Sequence, residues 1–115
     1  MQPKMNWTFM SLQILDDVRR GKLTFAEMFP RARAAGFVAY DASDSDAEFA
    51  PREEVLRLCA ENGLQIADYI HWVHLTTPDD AAFRAAVESG CRAARTALAH
   101  GTDKLMIVEN VVPED

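Results

Sequence analysis

A chain of 115 residues, 49% of them apolar, is long enough to build one domain around a core of its own. Its 18 acids against 12 bases give a net charge of −6, with no basic run to release counterions from a phosphate backbone, so nucleic-acid binding is excluded. No uninterrupted apolar stretch reaches the length of a bilayer crossing, which excludes a membrane-spanning helix.

The chain opens on MQPKMNWTFMSLQIL, which has no compact apolar segment and no small-residue cleavage site. It therefore does not read as a secretion signal, and the chain is expected to be soluble and cytoplasmic. Within it, Met5 to Met10 predicts a first strand, and Leu12 to Arg20 a helix that ends at Gly21. Thr24-Phe-Ala-Glu27 has the spacing of a capping box and predicts a helix running to Gly36. Pro30 conflicts with a helix interior, so a kink or a late start near Phe29 is expected.

Phe37 to Ala42 reads as the second strand and SDSDAEFA as a polar loop. Pro51 suits the first turn of the next helix, with Glu53 and Glu54 near its positive end. Val55, Leu56, Leu58 and Cys59 form its apolar face, and Asn62-Gly63 closes it. Leu64 to Ile70 predicts the third strand. Pro78-Asp-Asp opens a long helix, in which Phe83, Ala86, Val87, Gly90, Ala94, Ala97 and Leu98 recur at helical spacing. The fourth strand, Leu105 to Val108, carries Glu109 and Asn110 at its carboxyl end. Cys59 and Cys91 fall inside helices without a CxxC or a histidine companion and read as reduced core thiols.

Strands alternating with helices predict an α/β fold with parallel strands, (βα)3β. Such a pattern fits both an open doubly wound sheet and part of an eight-stranded barrel, and periodicity does not separate them. No strand is followed by GxGxxG or GxxxxGK[ST], which removes support for a nucleotide-binding doubly wound domain. The DASDSDAE run lacks the glycine and terminal glutamate of a calcium loop. His71 and His74 have HxxH spacing, but on a strand they point to opposite faces, so they do not read as a metal pair.

The succession GKLTFAEMFPRARAAGFVAYDAS, FAPREEVLRLCAENGLQIADYI and HGTDKLMIVEN resembles the sugar phosphate isomerase/epimerase family, the xylose-isomerase-like TIM barrels. Gly36-Phe37, Asn62-Gly63-Leu64 and Gly101 stand where that family has its turns. The resemblance implies a single α/β unit over residues 1–115 that corresponds to the amino-terminal half of a (β/α)8 barrel, the strand at Leu105–Val108 being the seam. It implies proton transfer next to a carbonyl on a sugar or polyol. It also implies a divalent metal (Mn, Mg, Co or Zn) held by residues of the other half and not by this chain, which alone should be inactive.

Four residues are candidates for contact with substrate. Asp41 stands at the end of strand two, where the family usually has Glu; the alternative is a solvated loop acid among Asp44, Asp46 and Glu48. His71, beside Trp72, closes strand three and is able to bind or donate a proton near neutrality. Glu109, at the mouth of strand four, is placed to orient a hydroxyl or a metal-bound water. Trp7 is placed to stack on a sugar face, with buried aromatic packing as the favoured alternative. The rival to the half-enzyme is a small α/β binding or interaction domain, a homodimer whose open sheet edges pair.

Overall fold

The computed structural model describes residues 6–109. Strands β1 (Trp7–Met10), β2 (Phe37–Ser43), β3 (Gln65–Val73) and β4 (Leu105–Glu109) form one sheet in the order β1-β2-β3-β4, with every pairing parallel. The sheet is curled. Helices α1 (Leu15–Arg19) and α2 (Phe25–Ala34) lie between β1 and β2, α3 (Arg52–Glu61) between β2 and β3, and α4 (Asp80–Ala99) between β3 and β4. Two short 3-10 turns, Ser11–Gln13 and Asp44–Glu48, follow β1 and β2. The first crossover thus carries two helices, and the expected polar loop after β2 is a packed turn. Met5 and Asn110, which the sequence placed at strand ends, lie outside the described residues. Among the described residues no helix is long and apolar enough to cross a membrane.

Local chemistry accounts for the helix ends. Thr24 Oγ1 accepts from the Glu27 amide at 3.2 Å while the Glu27 carboxylate accepts from the Thr24 amide at 2.7 Å, so the capping box is complete. The helix starts directly after it, at Phe25, and Pro30 sits inside the helix, against the expected late start. Pro30 is exposed, so the carbonyl it leaves without a partner faces water, and burial of Phe25, Met28, Phe29 and Ala32 outweighs the lost bond. Helices α3 and α4 both end in a double reverse bond. Leu64 N donates to Cys59 O and Gly63 N to Ala60 O, and Thr102 N donates to Ala97 O with Gly101 N to Leu98 O. Gly63 and Gly101 take positive φ (67° and 84°) at these turns, which side chains with a Cβ resist.

One core lies between the sheet and its helices. Phe9, Phe29 and Tyr40 meet at ring-centroid distances of 4.8 to 5.8 Å, and Leu15, Met28, Val55, Leu58 and Tyr69 close around them. Strand alternation then assigns the faces. Tyr40, Ala42 and Tyr69 belong to this core, so Asp41, Asp68 and Ile70 point to the opposite face. A one-residue shift between the pairs Tyr40↔Ile66 and Asp41↔Asp68 leaves Ala67 as an extra residue in β3, which is why Ile66 and Tyr69 both face the helices.

Two readings of α4 and its cysteine are corrected. Phe83, Val87, Ala94 and Leu98, expected on its buried stripe, are exposed, the last at 67%; the buried positions are Ala86, Ala93 and Ala97. Small residues there let the helix approach the sheet closely, and the larger apolar side chains turn outward. Cys59 is a core thiol, its pKa pushed up to about 12 by burial, but Cys91 is exposed.

Candidate functional site

The four residues singled out in the sequence are not brought together. Trp7 is 57% exposed at the amino end of β1, away from the carboxyl ends of the strands and not packed in the core. His71 has the strand parity of Tyr69 and faces α4: its Nδ1 lies 2.7 Å from Asp44 Oδ2 and its Nε2 2.7 Å from Ser89 Oγ. It lies inside β3, which runs three residues beyond the expected end at Ile70. Glu109 has the same parity on β4, being paired with Val73. Its carboxylate accepts from Leu75 N at 2.9 Å and Thr76 Oγ1 at 2.9 Å, with His74 Nδ1 at 3.0 Å. These bonds, the Leu75 amide foremost, hold the Glu109 carboxyl below the usual glutamate range. It clips the β3–α4 loop to the end of β4. His71 and His74 thus serve different partners, and among the described residues no three His, Cys, Asp or Glu side chains gather as a metal would need.

Asp41 is different, because strand alternation puts it on the face of the sheet opposite the helix-packed core. Its register partner is Asp68 on β3, and the Asp41 carboxyl is near enough to raise the Asp68 pKa. Two ionised carboxylates repel, which favours the protonated form of Asp68. Burial first, then the neighbouring Asp41 and its charge, raise the Asp68 pKa to about 6, against an opposing pull from Lys104. Among the described residues, two buried side-chain oxygens have no hydrogen-bond partner: Ser43 Oγ and Asp68 Oδ1. Strand alternation places both on this face, where Ser43 and Ile70 are buried and Met106, on the neighbouring strand, is 47% exposed. A protonated carboxyl next to an ionised one is both donor and acceptor, and a free hydroxyl adds another of each. The arrangement suits a ligand rich in hydroxyl groups. Asp68 and Ser43 were not singled out from the sequence; an acid inside an apolar strand, two residues past an apolar neighbour, was the available signal for Asp68.

On the covered face, the buried side-chain polar atoms of the described residues all have partners. Asp46, buried in the turn after β2, accepts from Tyr40 Oη, from Ser11 Oγ at 3.2 Å and from the Ser43 amide at 3.0 Å. Burial raises its pKa and these donors oppose that rise. No family model, curated protein or solved structure matches the chain.

Proposed function

We infer that the chain is the amino-terminal half of a sugar (phosphate) isomerase or epimerase barrel, inactive alone, whose uncovered sheet face receives the substrate's hydroxyl groups. The support is Asp68 Oδ1 and Ser43 Oγ, which have no hydrogen-bond partner in the protein and which a polyol's hydroxyl groups would satisfy, with Asp41 as the register partner of Asp68. Strictly sequential strand order supports the architecture. A doubly wound sheet reverses its order and carries helices on both faces, whereas a barrel adds each strand on the same side and keeps its helices outside. The resemblance in the turns at Gly36, Asn62-Gly63 and Gly101 points the same way.

Proton transfer next to a carbonyl needs a group that takes and returns a proton near neutrality. The Asp41–Asp68 pair meets that need, since Asp68 titrates near 6. Asp68 in its protonated form donates to a substrate oxygen; ionised, it accepts from a hydroxyl. Ser43 orients a neighbouring hydroxyl. The family's divalent metal does not fit the described residues. The raised Asp68 pKa favours a proton over a cation there, Lys104 adds positive charge, and among the described residues no third ligand joins them. No step is therefore assigned to a metal on this chain.

The test is amide NMR titration of the purified chain with a five-carbon polyol and its phosphate, with an isomerisation assay on the same sample. The expected result is binding without turnover, with shifts centred on Asp41, Ser43 and Asp68. Turnover by the chain alone, or shifts confined to the helix-covered side, overturns the assignment.

A further inference from the structure

The covered face holds a second constellation, independent of the uncovered-face reading. Asp44, in the turn after β2, accepts from Tyr69 Oη at 2.9 Å, from the Trp72 amide at 3.2 Å and shares the 2.7 Å contact with His71 Nδ1. An ionised carboxylate only accepts, so His71 Nδ1 must carry the proton in this contact. The neutral imidazole then has its lone pair on Nε2. That lone pair is aimed at Ser89 Oγ, 2.7 Å away on α4, so the serine hydroxyl donates to it. The order is carboxylate, imidazole, hydroxyl, with both separations inside the range of a nucleophile, its base and the base's orienting group.

The fold holds each member in place. Tyr69 and Trp72 flank His71 on β3 and fix Asp44 from two sides. Gly90, next to Ser89, stands over β4, where a Cβ would be in ordinary contact with Ile107 Cδ1 at 4.0 Å. The His71 side chain is 12% exposed and Ser89 is half-buried, so the hydroxyl is sheltered without being sealed.

We propose that Ser89 is a nucleophile activated by His71 and Asp44, reactive toward activated acyl and phosphonyl donors. With an ester, Ser89 Oγ bonds to the acyl carbon as its proton passes to His71 Nε2. The bond to the leaving alcohol then breaks, and His71 returns that proton to the alcohol. Water, deprotonated by His71, next attacks the acyl-serine, and the protonated imidazole returns its proton to Ser89 as the acid is released. One ester and one water give one acid and one alcohol. Ser89 lies inside α4, where backbone amides are committed to the helix and not to an oxyanion. That restricts the site to donors with good leaving groups.

The test uses the whole chain and an alkyl fluorophosphonate. Formation of the Ser89 Oγ–P bond expels fluoride and adds the alkylphosphonyl mass to the peptide containing Ser89. Folded chain should label at Ser89, and Ser89→Ala should abolish that label. His71→Gln and Asp44→Asn should each slow it at least about tenfold, since a positioned general base contributes ~10²–10⁴-fold. Circular dichroism checks that each variant is folded, and Asp44→Asn, which keeps the side-chain shape, serves where His71→Gln does not fold. Labelling of Ser89 no faster than in urea-unfolded chain overturns the proposal. So does a folded Asp44→Asn variant that labels at the original rate.

Discussion

The two faces of the sheet treat buried acids in opposite ways. On the helix-covered face, Asp46 is surrounded by donors: Tyr40, Ser11 and the Ser43 amide, all supplied by neighbouring elements. On the uncovered face, Asp68 meets another acid, and one of its oxygens has no partner at all. Burial raises the pKa of both groups. The difference lies in what surrounds them. Asp46, saturated by the protein, is a structural tie, whereas Asp68, left partly unsatisfied, is held ready for something else or is simply costly. Mutation separates these descriptions.

The largest effect is expected where the covered face is most tightly filled. Phe29 is fully buried and touches the rings of Phe9, Phe25 and Tyr40. Phe29→Ala should cost about 3–5 kcal/mol, lost ring burial plus a cavity, read as a lower midpoint in urea unfolding. A loss under about 1 kcal/mol would mean that this face is loosely packed and that the contrast with the uncovered face is overstated.

The polar tie itself comes next. Tyr40→Phe keeps the ring and removes the hydroxyl that donates to Asp46, leaving a buried carboxylate with two donors instead of three. A cost of roughly 1–3 kcal/mol is expected, the penalty of under-satisfying a buried group. The double variant Tyr40→Phe with Asp46→Asn should cost less than the sum of the single changes, since both members of one bond are altered. Strict additivity would show that the bond contributes nothing.

Much of the covered face was legible in sequence. The capping box at Thr24, the glycine stops at Gly36, Gly63 and Gly101, and the alternation of strands with helices are local signals, and they fall within a few residues of the observed elements. What was not legible came from long-range geometry. In the sequence, Ile66, Asp68 and Ile70 alternate with Ala67, Tyr69 and His71, and neither set is cleanly apolar. The extra residue at Ala67 shifts the alternation, so the helix-facing set is Ile66, Tyr69 and His71, and no window on β3 alone reveals that. The same limit hid the contacts of Asp44 with residues 25 to 28 positions away and the contact of Asp68 with Asp41 across the sheet. Glu109 was legible as a polar group at a strand end, yet its engagement with Leu75 and Thr76 depends on where the β3–α4 loop returns.

The smallest predicted effect carries the opposite sign and bears most directly on the uncovered face. An unfolded aspartate titrates near about 4, while Asp68 in the folded chain titrates near 6. Between those values the folded state binds more protons than the unfolded one, so this group makes stability fall as pH rises across that window. Above it the cost is constant, and below it the cost vanishes. Asp68→Asn removes the ionisation while keeping a hydrogen-bonding group next to Asp41. The variant should therefore gain stability at pH 7 relative to its effect at pH 4. Asp68 as a whole is only partly buried, and solvent screening holds that gain to about 1 kcal/mol or less. Asp46 has its own raised pKa and remains in the variant, so some fall in stability with rising pH should persist. Urea unfolding of both chains at pH 4 and pH 7 reads the difference directly. Equal effects at the two pH values would mean that Asp68 ionises freely beside Asp41, and the raised pKa on which its acid–base role rests would be lost.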